Sequence, residues 1–190
     1  MVHVKKSGNN GQTKHVALLR GINVGGKNRL PMKDLAEIFA KAGCRNVTTY
    51  LQSGNVIFSA PASLLKRIPE VVSKDIAKRF GYQIPVLVRS SEEIAQIIRD
   101  NPFLQAGKPE ETLHVYFLAD LPIALAIKSL DPNRSAPDVF CVRNREVYLH
   151  LPNGMAATKL TNTYFDSKLS TTSTARNWAT VLKLYEMLQT

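Results

Sequence analysis

Hydrophobic residues fall along this chain in short runs and in spaced stripes, and the change from one pattern to the other marks the predicted elements. Residues 16–19, Val-Ala-Leu-Leu, form an apolar run of strand length that ends at Gly21. Leu35, Ile38, Phe39 and Ala42 then recur at helical spacing, behind a Pro31 that can open a helix and ahead of Gly43 as the stop. Residues 47–51 and 56–58 are rich in β-branched and aromatic side chains and flank the polar Gln52-Ser53-Gly54-Asn55, which predicts a hairpin. Leu64, Leu65, Ile68, Val71, Val72, Ile76 and Phe80 predict a further helix, with Pro69 as a kink or a late start and Gly81 as terminator. A strand over 84–88 closes the unit, and its Pro85 is tolerable if that strand lies at a sheet edge. The order β-α-β-β-α-β is the split arrangement of ferredoxin-like folds.

The second half repeats this grammar. A helix over 91–99 and a Pro-containing connection over 102–109 lead to a strand over 113–119 and a short helix over 123–130. Residues 139–142 and 147–151 predict a second hairpin turning at Asn144, and Trp178, Val181, Leu182, Tyr185 and Leu188 line one face of a closing helix. The expectation is an α+β protein built from duplicated ferredoxin-like subdomains with antiparallel sheets. It divides into a flexible tail over 1–14, a first subdomain over 15–90 and a related second subdomain over 91–190 that carries the C-terminal helices. With 190 residues and 44% hydrophobic composition, the chain can bury a core without staples.

Charge changes this picture because it is lopsided. The formal net charge is +10, and residues 1–90 hold 15 Lys and Arg against 4 Asp and Glu, so the excess belongs to the first half. Such a field concentrates phosphates, nucleic acid or acidic surfaces near the protein, and it equally serves solubility. Cys44 and Cys141 lack metal-ligand or redox spacing, which favours core thiols in a reducing compartment. No apolar run reaches the length of a membrane span and the N-terminus has no signal-like stretch, so a cytoplasmic protein without membrane contact is expected.

Three junctions could carry chemistry. The first, Gly21-Ile-Asn-Val-Gly-Gly26-Lys27-Asn28, approaches the phosphate-cradling GxxxxGK[ST] pattern, but Asn28 replaces the hydroxyl residue and Pro31 delays the helix. What remains is either an anion-binding turn, with Gly25 and Gly26 allowing close approach and Arg20, Lys27 and Arg29 supplying charge, or a solvated crossover loop. The second is the Gln52-Ser53-Gly54-Asn55 turn, whose polar groups suit a ligand or merely a hairpin. The third is Ser170 to Thr174 before Arg176-Asn177-Trp178, where helix capping explains the hydroxyls and anion capture would explain Arg176. The candidate ligand residues are therefore Arg20, Asn23, Gly25, Gly26, Lys27, Gln52, Ser53, Asn55, Arg176 and Asn177.

The four histidines show no metal-binding spacing, no nucleophile elbow occurs, and no catalytic set can be assembled, so neither cofactor nor metal is expected. An RNA-recognition sheet would need stacking aromatics on its central strands, and residues 16–19 have none.

The stretches ALLRGINVGGKNRLPMKDL, TYLQSGNVIF, VYLHLPNGM and TARNWATVLKL resemble the uncharacterised bacterial family called domain of unknown function 1697. The resemblance spans 16–184 and implies a duplicated ferredoxin-like fold with no established activity. Arg20, Gly21, Asn23, Gly25, Gly26, Gln52, Ser53, Gly54, Asn55, Arg176, Asn177 and Trp178 match its recurring motifs, while Ala179 departs from the usual RNWN. Three functional classes stay open: a non-catalytic binder of an anionic, phosphorylated or nucleic-acid ligand, an enzyme on a phosphorylated small molecule, and an interaction or assembly module.

Overall fold

The computed structural model describes residues 13–190. Residues 1–12, most of the expected tail, lie outside the described residues, and Lys14 already belongs to the first strand. Strands β1 (Lys14–Leu19), β2 (Arg45–Tyr50), β3 (Asn55–Ser59) and β4 (Val86–Ser90) form one antiparallel sheet in the order β2-β3-β1-β4. Helices α1 (Met32–Lys41), α2 (Ala62–Leu65) and α3 (Ile68–Phe80) belong to the same unit. The unit then repeats. Strands β5 (Leu113–Leu118), β6 (Val139–Arg143), β7 (Glu146–His150) and β8 (Ser173–Asn177) pair in the equivalent order β6-β7-β5-β8. Helices α6 (Ala124–Lys128) and α7 (Asn162–Leu169) take the crossover positions of the second unit. The protein is thus an α+β molecule with a duplicated ferredoxin-like architecture.

Strand alternation explains the layering. On β1, Ala17 and Leu19 point outward to meet Leu35, Ile38 and Phe39 of α1 and Val72 and Ile76 of α3. On β5, Tyr116 and Leu118 point to the opposite outer side, against Tyr164, Phe165 and Leu169 of α7. The remaining strand faces turn toward each other: Val16, Leu18, Ile57 and Leu87 share one core with Val115, Phe117 and Tyr148. Helices α4 (Ser91–Arg99) and α8 (Trp178–Gln189) enter that middle layer with Ile94, Ile97, Trp178, Val181 and Leu184. Trp178 is fully buried there. A short α5 (Pro102–Gln105) and a 3-10 turn over Glu110–Thr112 lead from α4 to β5.

Local chemistry sets the boundaries. Ser90 caps α4 by accepting from the Glu93 amide at 3.1 Å while the Ser90 amide donates to the Glu93 carboxylate at 2.8 Å, a complete capping box. Pro69 sits in the first turn of α3, where its missing N–H costs nothing, so it marks a late start after α2 and not a kink. Strand β4 begins at Val86 on the sheet edge, just past Pro85. Four elements escape the hydrophobic pattern: the short α5 and the 3-10 turn before β5, and the longer α7 and β8. The third junction is therefore a strand, with Thr171 and Ser173 bonded to Asp120 and Asp166 and only Asn177 acting as the cap of α8.

Candidate functional site

The three junctions meet at one end of the layer between the sheets, but most of their polar groups are engaged with one another. Asn23 holds the first loop: its Nδ2 donates to the Leu30 and Gln52 carbonyls at 2.9 Å each, and its Oδ1 accepts from the Leu30 amide at 2.8 Å. Asn28 donates to the Gly21 carbonyl at 2.9 Å. Both asparagines have positive φ, 55° and 48°, a conformation that Asn tolerates better than most residues. The stretch between them folds as a tight turn with a Val24 to Lys27 bridge, and α1 starts only at Met32. No phosphate cradle at a helix N-terminus forms here.

Gly54 is where the second junction meets the first. Its φ is +79°, and a Cβ on it would lie 2.8 Å from both Ile22 Cδ1 and Leu19 Cβ. Only glycine fits this close approach. Next to it, Asn55 is fully buried, donates to the Tyr50 carbonyl at 2.9 Å and to Ser53 Oγ at 3.2 Å, and accepts from Arg176 Nε at 2.5 Å.

Arg176 is the main correction to the expected site. It lies on a strand, 7% exposed, and its guanidinium reaches across to the other subdomain. Besides Asn55, the acceptors are the Leu19, Ser53 and Gly54 carbonyls at 3.0, 3.1 and 3.2 Å, Thr174 Oγ1 at 3.0 Å and the Ala175 carbonyl at 2.7 Å. All five N–H donors are engaged, so none is left to grip an anion directly. Burial pushes its pKa down to about 10, and the group remains cationic at neutral pH. Arg20 is corrected as well, because it forms an ion pair with Asp166 on α7 that neutralises its charge. Asn55, sealed beneath the turn, is likewise removed from any ligand surface.

Of the candidates that face solvent, Asn23, Gly26 and Gln52 line one cavity and Ser53 and Asn177 another across the 51–53 turn, while Gly25 and Lys27 lie on the exposed glycine turn and line neither. The outer cleft, about 420 Å³, is lined by Asn23, Gly26, Arg29, Leu30, Pro31 and Gln52. Lys27 and Arg29 are exposed and make no ion pair among the described residues. The Gly25 and Gly26 amides donate to no carbonyl among those residues either. The inner cavity, about 300 Å³, is lined by Leu51, Ser53, Met155, Ala175, Arg176 and Asn177 together with His114 and Thr180. Leu51, half-exposed in its wall, holds φ at 58°, a strained value for leucine that costs about 1–2 kcal/mol. Sequence reasoning missed His114, Met155 and Thr180, which no local motif marks; only the packing of β5, the 151–160 loop and α8 brings them to this place.

No cluster of three metal-ligating side chains occurs among the described residues, and no helix there is long and apolar enough to cross a membrane. Cys44 is buried and Cys141 half-buried, both as free thiols.

This arrangement, two ferredoxin-like units locked by buried polar contacts around a glycine-rich cleft, defines the class. The chain belongs to the protein family of unknown function DUF1697, whose sequence model matches residues 12–148. Among solved structures, a conserved bacterial protein from Streptococcus pneumoniae superimposes with a TM-score of 0.72 at 20% identity, covering 94% of this chain and 99% of that one, and so shares the fold. No curated protein matches the chain.

Proposed function

We propose that the protein is a non-catalytic binding protein for a phosphate-bearing anion, held in the outer cleft between the 21–31 loop and the 51–53 turn. One observation carries the reading: Arg29 in the wall of the cleft and Lys27 on the adjoining turn stand unpaired among the described residues, while Asn23, Asn28 and Asn55 are hydrogen-bonded within the protein and fix the shape of the loops. A rigid frame around uncommitted cations and free backbone amides suits an anion, because little ordering is required on binding. Gln52 contributes an exposed amide at the rim. The excess positive charge of the first half steers the ligand inward. Free thiols at Cys44 and Cys141 support a reducing, cytoplasmic setting.

Calorimetric titration with inorganic pyrophosphate, a nucleoside diphosphate and a short single-stranded oligonucleotide, each at two salt concentrations, tests this reading. Binding should weaken as salt rises and fall at least about tenfold in the Lys27→Glu/Arg29→Glu variant. Equal affinity in the variant, or no binding to any of the three, would refute it. A preference for the oligonucleotide would place the phosphates on nucleic acid; a preference for the diphosphate would place them on a small molecule.

A further inference from the structure

The duplication supplies its own reference for what each junction contains. Arg89 is the fourth residue of β4 and Arg176 the fourth of β8; they stand opposite Val16 and Val115, the third residues of β1 and β5. Each reaches into the other subdomain and bonds equivalent atoms. Arg89 Nη2 donates to the carbonyl of Leu118, the last residue of β5, as Arg176 Nη2 does to that of Leu19, the last of β1. Arg89 Nε donates to Glu146, the first residue of β7, at 2.9 Å, and Arg176 Nε to Asn55, the first of β3.

The charges, however, differ. Around Arg89, Glu146 pairs with the arginine, and Glu93 at the third position of α4 pairs with Arg145. The equivalent positions around Arg176 are Asn55, Thr180 at the third position of α8, and Gly54, none of them ionisable. One junction balances two arginines with two carboxylates; the other buries an arginine with no counter-ion among the described residues. The inner cavity lies at that junction, with Arg176 in its wall.

The cavity also holds uncommitted donors. Asn177 Nδ2 and Thr180 Oγ1 make no hydrogen bond among the described residues, and His114, 9% exposed, stands beside them with its Nδ1 enclosed against the Thr112 carbonyl.

We propose that the inner cavity binds a small aliphatic carboxylate, which supplies beside Arg176 the negative charge that Glu146 and Glu93 supply beside Arg89. The carboxylate takes hydrogen bonds from Asn177 and Thr180 beside the His114 ring, and the short alkyl part rests on Leu51, Met155 and Ala175. This site is separate from the outer cleft and does not depend on the reading given for it.

Butyrate, with chloride at matched ionic strength as reference, tests the proposal. In the wild-type chain, butyrate should raise the melting temperature saturably above chloride, and the His114 ring and Thr180 amide resonances should shift with the same midpoint. Thr180→Glu recreates the counterpart of Glu93 at a position where glutamate suits a helix start. It should melt above wild type without butyrate and lose the butyrate increment, whereas Thr180→Gln, equal in bulk but uncharged, should show no such rise. The Lys27→Glu/Arg29→Glu variant should keep the full butyrate response. Absence of a saturable, butyrate-specific shift at His114 and Thr180, or an equal rise in Thr180→Gln and Thr180→Glu, would overturn it.

Discussion

Arg89 and Arg176 are counterparts in the two halves, each donating from the last strand of its own sheet to the end of the first strand in the other. The pair works as a reciprocal clasp. Arg89 carries a carboxylate partner and Arg176 only neutral acceptors, so their removal should differ in cost. Arg89→Met strands Glu146 as an unpaired buried charge and is expected to lose about 3–5 kcal/mol. Arg176→Met leaves neutral carbonyls unsatisfied and is expected to lose about 2–3 kcal/mol. Arg176→Lys recovers little of that loss, because one ammonium cannot reach the spread of acceptors that a guanidinium fork spans. Urea denaturation of the three variants checks both the order and the sizes.

Gly54 and Gly25 separate space from backbone conformation. Gly54→Ala drives a Cβ into Leu19 and Ile22 at positive φ, with an expected cost of about 2–4 kcal/mol. Gly25→Ala, also at positive φ but with nothing within 4 Å, should cost about 1 kcal/mol from the backbone alone. Equal losses in thermal unfolding would mean that the contact of the 54 position with β1 is not what requires glycine.

Much of the fold was legible because strands and helices with one buried face announce their period. The hairpin around Asn55 and the helix over Leu35 to Phe39 are of this kind. Strand β8, Ser-Thr-Ala-Arg-Asn, reads as polar because its inner face buries Thr174 and Arg176, residues whose partners lie more than 100 positions away. Its burial therefore could not be inferred from the pattern, and Arg176 read as a surface cation. The same blindness concealed α7, whose Asp166 neutralises Arg20. Lys27 and Gly26 were legible as a candidate site because loop composition is local information, whereas the inner cavity depends wholly on how the halves dock.

The two buried histidines give the stability a pH dependence with a defined sign. His15 and His114 are lowered from 6.5, in each case chiefly by burial, with backbone carbonyls opposing that shift. The folded state therefore resists protonation that the unfolded chain accepts. Their contribution is complete above about pH 6.5 and is lost progressively as the pH falls below it. His114→Gln should flatten the decline between pH 7 and pH 5 in denaturant midpoints; an unchanged slope would show that its burial does not set the dependence.

Thiol reactivity offers a direct check on the first core. Burial pushes the Cys44 thiol up to about 11, and the side chain is packed beneath α1, so it should resist an aromatic disulfide reagent at pH 8. Cys141, half-buried on the edge strand β6, should react in the native protein. One fast thiol per chain is expected, and two after unfolding. Fast reaction at both, mapped by mass spectrometry, would mean that the first core opens readily.

The central functional claim is that a phosphate-bearing anion sits on the glycine turn, and amide-resolved NMR during a pyrophosphate titration tests it most directly. The amides of Gly25, Gly26, Lys27 and Gln52 should move along one saturating curve, and that curve should vanish in Lys27→Glu/Arg29→Glu. Shifts that never saturate, or that centre on the lysines of the groove between α1 and α3, would contradict the account.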